Sequence, residues 1–375
     1  MSAVTVHRAT SGGGWSVPFE RVGDLRAMAV LRILLGPITL LHLAPFLRDA
    51  RAGVEYDDHF WEPYLRGAPS PPGWLWSAAL VVGAASAVLM MLGVLTRLTT
   101  SVTFVVVAGN LLTSQVHFRH NRAFLAILLG GLALLPAGRV LSVDAWWRRV
   151  RGAPTLLPTE PTWPLLLLRT QVSLVYLSSG ISKLVDPDWL SGLVLWDRVV
   201  RYQHELEPLP GWAVDVLTWR SLYWLVAPAA ILIELSLGVG LWFARTRLAA
   251  LWVAIAFHLS IEVSAKVEVF SYGAIAGLVI WVTPAARDRV VRLRRDDPAA
   301  RALATAVRWL DWFGRFRVEP AGRDDPAVTV VDRDGRTLSG RAASRLVLTR
   351  LPVTFPVAAL MSAEGRGRPA EPRSP

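Results

Sequence analysis

The sequence predicts an all-α, polytopic integral membrane helical bundle of about eight transmembrane helices, followed by a small α/β tail. Three observations lead there. The 375 residues are 53% apolar and only 18% charged. The apolar residues fall into long runs instead of the period-3.6 or period-2 patterns of a soluble core. The charge is also uneven: residues 287–375 carry 18 basic and 11 acidic side chains, whereas residues 1–286 carry 22 and 18. A long, nearly balanced apolar part is thus followed by a basic tail.

Composition excludes several classes. With no cysteine there is no disulfide framework, no thiolate-ligated zinc or iron–sulfur site and no thiol nucleophile. The formal charge of +11 would suit a nucleic-acid partner. Placed along the chain, however, it marks loops and a membrane-facing tail, so no nucleic acid is expected.

A helix crossing about 30 Å of hydrocarbon needs roughly 20 mostly apolar residues. Eight segments qualify: 27–47, 74–96, 99–116, 123–138, 163–184, 222–243, 248–263 and 268–286. Residues 1–26 lack the short apolar stretch and small-residue cleavage site of a signal peptide, so the first segment is expected to be an uncleaved anchor. Arginines crowd alternate connections: Arg21 and Arg26 before the first segment, Arg97, then Arg139, Arg148, Arg149 and Arg151, then Arg245 and Arg247, then Arg287 onward. The other loops are acidic, with Asp49, Glu55, Asp57, Asp58 and Glu62 in 48–73 and six acids in 185–221. Excess Lys and Arg marks the cytoplasmic side. The pattern predicts a multi-pass plasma-membrane protein with both termini in the cytoplasm. Inside the second outer loop, Trp189, Leu190, Leu193, Trp196, Val199 and Val200 share one face. That face predicts an interfacial or re-entrant helix.

Ionisable groups within apolar segments are costly and face a bundle interior or a wet cavity. Here they are Arg32, His42, Arg169, Lys183, Glu234, His258 and Glu262. Arg32 and Arg169 read as structural or snorkelled cations, and Glu234 as the partner of one of them. His258, Glu262 and Lys266 recur at i, i+4 and i+8, on one face of the seventh segment. That face is a proton relay or a cavity lining; one His and one carboxylate are too few for a metal site. His117, His120, Asn121 and Arg122 form a polar knot in the third-to-fourth turn, either at a cavity mouth or simply solvated.

Lys183 is the most informative residue. Of the 40 Lys and Arg, only Lys183 and Lys266 are lysines. Arginine is always protonated, whereas a desolvated lysine can lose its proton and act as base or nucleophile. The competing reading is a snorkelled helix-end lysine paired with Asp186 or Asp188.

The stretch Ser179-Gly-Ile-Ser-Lys183-Leu-Val-Asp-Pro-Asp-Trp189 resembles the motif around the catalytic lysine of vitamin K-dependent gamma-carboxylases. Leu31-Arg-Ile-Leu-Leu-Gly36 followed by Tyr56-Asp57 is similar to the opening of HTTM (horizontally transferred transmembrane) proteins. The stretch from Asn121 to Trp147, Phe257-His258, and Phe270-Ser-Tyr272 follow the same order, so the resemblance spans about residues 25–286. It implies a quinol-dependent membrane enzyme whose lysine deprotonates a reduced menaquinone or vitamin K-type quinol. The quinol anion then reacts with O2, the resulting strong base abstracts a proton, and CO2 traps the carbanion. Carried over, Lys183 would be the quinol base and His258 would line the pocket. Asn121 stands where the family has a functional histidine, with His120 beside it. Tyr176, Trp189, Glu262 and Phe270 are the expected cofactor-binding residues. The carboxylases continue into a large lumenal domain, which the basic tail does not match. A non-catalytic scaffold, or a maturation partner for a small secreted peptide, therefore stays open. A transporter would favour inverted repeats, and none is visible.

In the tail, 287–318 reads as an Arg-rich amphipathic helix on an anionic leaflet. Residues 327–332 give a strand signal, 333–336 a hairpin turn and 341–351 a helix. This order resembles the C-terminal half of a DCC thiol-disulfide oxidoreductase domain, without its cysteines. Residues 364–375 are expected to be disordered.

Overall fold

A computed structural model describes residues 22–52, 62–67, 69–153, 159–161, 163–206, 209–264, 267–282, 289–332 and 334–364. Tyr56, Asp57, Lys266 and the expected disorder of 365–375 lie outside the described residues. A short strand β1 (Val22–Asp24) pairs antiparallel with β2 (Thr159–Pro161). Between them run α1 (Arg26–Ala52), α2 (Gly73–Leu92), α3 (Thr96–Thr113), α4 (His120–Leu134) and the short α5 (Val143–Val150). Next come α6 (Trp163–Leu184), α7 (Pro187–Leu190), α8 (Leu193–Arg201), α9 (Gly211–Thr218), α10 (Tyr223–Gly240), α11 (Arg247–Ser264) and α12 (Phe270–Gly277), which a 3-10 turn prolongs to Trp281.

Among the described residues, each of the eight predicted segments contains a helix. Five of these helices, α1, α2, α6, α10 and α11, are long and apolar enough to cross a membrane. The helix α3 has 18 residues, and α4 and α12 are shorter apolar helices. The bundle core gathers fully buried Leu31, Leu35, Leu125, Leu128 and Trp281. Many other large apolar side chains, such as Leu41, Val81, Val105, Leu225 and Leu232, are more than half exposed. An apolar exterior of that extent suits hydrocarbon as solvent.

Two polar ends frame the bundle. At the β1 end, Asp144 of α5 accepts from Leu95 N, Thr96 N and Thr96 Oγ1 at 2.7–2.8 Å and so caps α3. Arg32, fully buried, donates to Met90 O at 2.5 Å, Met91 O at 2.6 Å and Leu141 O at 2.5 Å. Arg169 donates twice to Ile280 O, at 3.0 and 2.6 Å, and lies over the Trp281 ring. Neither arginine is ion-paired to Glu234 as the sequence suggested. The last carbonyls of a helix have no partner within it, and water is scarce here. These guanidiniums supply the missing donors. At the opposite end, Glu62 O accepts from Gln115 N, and Arg122 reaches Glu268. Alternate connections thus meet at the same end of the bundle.

The predicted interfacial helix is broken in two. Gly192 adopts φ 72° between α7 and α8, in contact with the Tyr223 backbone, where a side chain would not fit. Val199, Leu206 and Tyr223 then make a small core of their own.

The tail differs more from expectation. Arg289–Leu293 is a strand, β3, instead of the start of a helix. Its buried residues alternate with more exposed ones, a period of two that the dense arginines obscured. The helix is confined to α13 (Pro298–Leu310), and β4 (Phe316–Pro320) returns parallel to β3. Next come β5 (Val328–Val331), β6 (Thr337–Ser339) and α14 (Gly340–Leu348), where a strand, a turn and a helix are expected from sequence and β6 is an added strand. The sheet order is β4-β3-β5-β6. A last helix, α15 (Phe355–Glu364), packs on α11, and Trp252 donates to Pro352 O at 2.8 Å.

Replacing Arg32 by Leu should remove three hydrogen bonds at once, to Met91 O, Leu141 O and Met90 O, of which Met90 O keeps its bond from Gly93 N. We expect a loss of stability well above the roughly 1 kcal/mol typical of point substitutions. Thermal unfolding in detergent measures it, and a melting temperature close to that of the parent would contradict the capping role.

Candidate functional site

The helices α6 and α10 approach closely because each offers a glycine to a leucine of the other. A Cβ on Gly180 would lie 2.8 Å from Leu235, and one on Gly238 would collide with Leu177. Small residues allow such backbone approach in membranes. Near one end of this contact, the Lys183 ammonium meets the Glu234 carboxylate. Its Nζ lies 2.5 and 2.6 Å from the two carboxylate oxygens and 3.0 Å from Ser179 Oγ. Ser179 Oγ in turn donates to Glu234 Oε1 at 3.1 Å. The Lys183 and Glu234 side chains are only 14% and 8% exposed, so the pair is far from a solvated surface bridge. The Trp189 ring lies 4.5 Å from Nζ, a cation–π contact. The partner of Lys183 is therefore Glu234. Asp186 instead accepts from Asp188 N at 2.9 Å and caps α7.

Two turns before Lys183 on the same face of α6, Tyr176 OH lies 2.7 Å from Nε2 of His258 on α11. Phe270 of α12 stands edge-on to that imidazole, ring centroids 5.4 Å apart. His258 is buried, and its Nδ1 has no hydrogen-bond partner among the described residues. Glu262 lies further along α11 and accepts from Tyr272 at 2.8 Å, so it and His258 have different partners.

A third cluster closes the same end. Arg122 binds Glu268 through Nε at 3.0 Å and Nη2 at 3.1 Å, and donates to His117 O. Asn121 Nδ2 is 3.5 Å from Glu268, and Arg119 is 3.9 Å from it. Desolvation opposes ionisation of Glu268, but hydrogen bonding and charge from Arg122, aided by Arg119, hold its carboxyl below the usual glutamate range. Burial, reinforced by the positive charge of Arg122, pushes the His117 imidazole down and keeps it neutral at pH 7.

Between these clusters lies a cavity of about 1160 Å³. His120, Asn121, Ser179, Ser182, Trp189 and Phe270 are among its lining residues. The structure thus brings His120, Asn121, Trp189 and Phe270 to one chamber. Lys183, Tyr176 and His258 stand behind its wall, with Ser179 shared between the lysine pair and the chamber. Glu262 is not part of the lining. Sequence reasoning missed Ser179, four residues before Lys183 on one helix face, and Glu268, which nothing in its local sequence distinguishes. Among the described residues no group of three His, Asp or Glu could hold a metal.

A bundle of apolar helices with an apolar exterior, two polar ends and a buried ion pair defines an integral membrane protein. The HTTM domain model matches residues 20–285, and the chain belongs to that family. No curated protein matches it, and no solved structure does.

The ion pair and the clasp make distinct predictions. Glu234→Leu leaves a buried ammonium unpaired and should cost about 3–5 kcal/mol, whereas Lys183→Met/Glu234→Leu together should recover most of that loss. Melting temperatures of the parent, Lys183→Met, Glu234→Leu and the double variant give the coupling, and additive losses would refute it. For Glu268, a depressed carboxyl stabilises the fold above the ordinary glutamate range, and that contribution is lost as pH falls through the folded value. Glu268→Gln should therefore melt lower than the parent at pH 7, and the two curves should converge in acid.

Proposed function

We propose that this protein is a quinol-dependent membrane enzyme of carboxylase-like chemistry, with Lys183 as its base, acting on an extracytoplasmic or membrane-borne substrate such as a small secreted peptide. The observation that carries this reading is the buried Lys183–Glu234–Ser179 triad behind the wall of a large chamber. The chamber residues fit a reduced menaquinone or vitamin K-type quinol. Trp189, Phe124 and Phe270 offer flat apolar contact, Ser179, Ser182, His120 and Asn121 offer polar contact, and His258 holds a buried ring nitrogen in reserve. When bound, the quinol would supply the reducing equivalents, with O2 and CO2 as co-substrates.

The protein's own part is proton handling. A lysine, unlike an arginine, can give up its proton and serve as a base, and in this reading Nζ takes the quinol proton. Ser179 accepts from Nζ, donates to Glu234 and lines the chamber, so it links the pair to a bound hydroxyl. Tyr176 and His258 fix the adjoining wall.

The same reading sets the topology. Eight crossings in the plasma membrane would put both termini in the cytoplasm and the Lys183 end outside. The sorting of alternate loops to the two ends supports it, as do the arginines of the β1 end.

A second reading is a scaffold. Its support is that Lys183 finds three acceptors for its three N–H donors, as a structural ammonium would. Lys183→Arg separates the two, because it keeps the charge but cannot act as a base. Purified protein in lipid should oxidise reduced menaquinone under O2. We expect Lys183→Arg to lose about 10²–10⁴-fold of that rate while still binding quinone. A variant as fast as the parent would leave the scaffold.

A further inference from the structure

We propose that the β1 end of the bundle carries a site for the phosphate of an anionic phospholipid, built by Arg97, Arg139 and Arg148. These three arginines surround a cavity of about 250 Å³ between α3, the turn after α4, and α5. That volume equals roughly eight waters at about 30 Å³ each, room for a phosphate and its glycerol linkage. Asp144, the acid in the lining, is already committed to Leu95 N, Thr96 N and Thr96 Oγ1. Arg148 gives Nη2 to Gly138 O at 3.0 Å, one of five N–H donors on a guanidinium. The lining is thus net positive and rich in donors that suit a phosphate.

The surroundings point to a lipid as the source of that phosphate. The helix α5 carries Trp146 and Trp147, both about half exposed, and Arg151 stacks over Trp147 at 4.7 Å. Paired tryptophans on a short amphipathic helix mark headgroup depth. Leu134 of the lining, and Leu95, Leu98 and Leu141 near lining residues in sequence, each expose half or more of their surface. These leucines offer apolar contact to acyl chains while the headgroup reaches the arginines. Basic pockets between membrane helices hold anionic headgroups by this combination. The site lies at the opposite end from Lys183 and is independent of the proposed chemistry.

The test uses the full-length protein purified in neutral detergent. Native mass spectrometry and thermal unfolding are followed with phosphatidylglycerol, phosphatidylcholine or inorganic phosphate. Phosphatidylglycerol should be retained and should raise the melting temperature; the zwitterionic lipid and inorganic phosphate should do neither. Each arginine removed should weaken retention about fivefold, so Arg97→Gln alone is measurable and the triple change to Gln abolishes retention. Arg97 is exposed, so Arg97→Gln should melt like the parent without lipid and decides the matter if the triple variant does not fold. Equal retention of both lipids, unchanged retention in Arg97→Gln, or equal stabilisation by inorganic phosphate would overturn the proposal.

Discussion

The buried pair of Lys183 and Glu234 is the constraint around which the candidate site is organised. Two charges this far from solvent hold together only if their helices cannot drift apart. Reciprocal glycine notches provide that, bringing α6 and α10 to backbone distance and leaving the two side chains nowhere else to go. Once α6 is fixed, its other polar residues follow at helical spacing: Ser179 against the pair and Tyr176 against His258. The packing of α6 on α10 therefore positions the chamber wall as well as the charges.

The other buried cations obey a different rule. Among the described residues Arg32 and Arg169 bond no carboxylate; they point at helix-terminal carbonyls. In water such carbonyls would be hydrated, but at the edge of an apolar bundle the protein must supply the donor. A guanidinium suits this because several N–H groups fan out from one plane. The same economy explains Asp144, whose two oxygens cap α3 from a neighbouring helix. Capping at the β1 end and ion pairing at the Lys183 end are thus two different ways of satisfying charge inside an apolar bundle.

The fold class was legible because long apolar runs survive any error of a few residues at helix ends. Segment 163–184 coincides with α6, and the others shift by a few residues. Lys183 was legible as an exception to an arginine-rich composition. Its partner was not, since Asp186 and Asp188 stand nearest in sequence and Glu234 reads as the partner of Arg32 or Arg169 until α6 and α10 are seen in contact. Glu268 was illegible for the same reason: its meaning comes from Arg122, 146 residues away. The tail strand β3 was hidden because arginines at 289, 292 and 294 imitate a basic helix face, while the buried Val291 and Leu293 keep a period of two.

Why the chain departs from arginine at position 183 follows from the pair itself. An arginine could bind Glu234 through both oxygens, and would do so in one charge state only. A lysine fits the same place as a compact charge, with Nζ 2.5 and 2.6 Å from the two carboxylate oxygens and 3.0 Å from Ser179 Oγ, and in the proposed function its amine is the base. Ser179 then matters because it bonds to both partners and also faces the chamber. A site that needed only a fixed positive charge would be served by the residue used nearly everywhere else in this sequence.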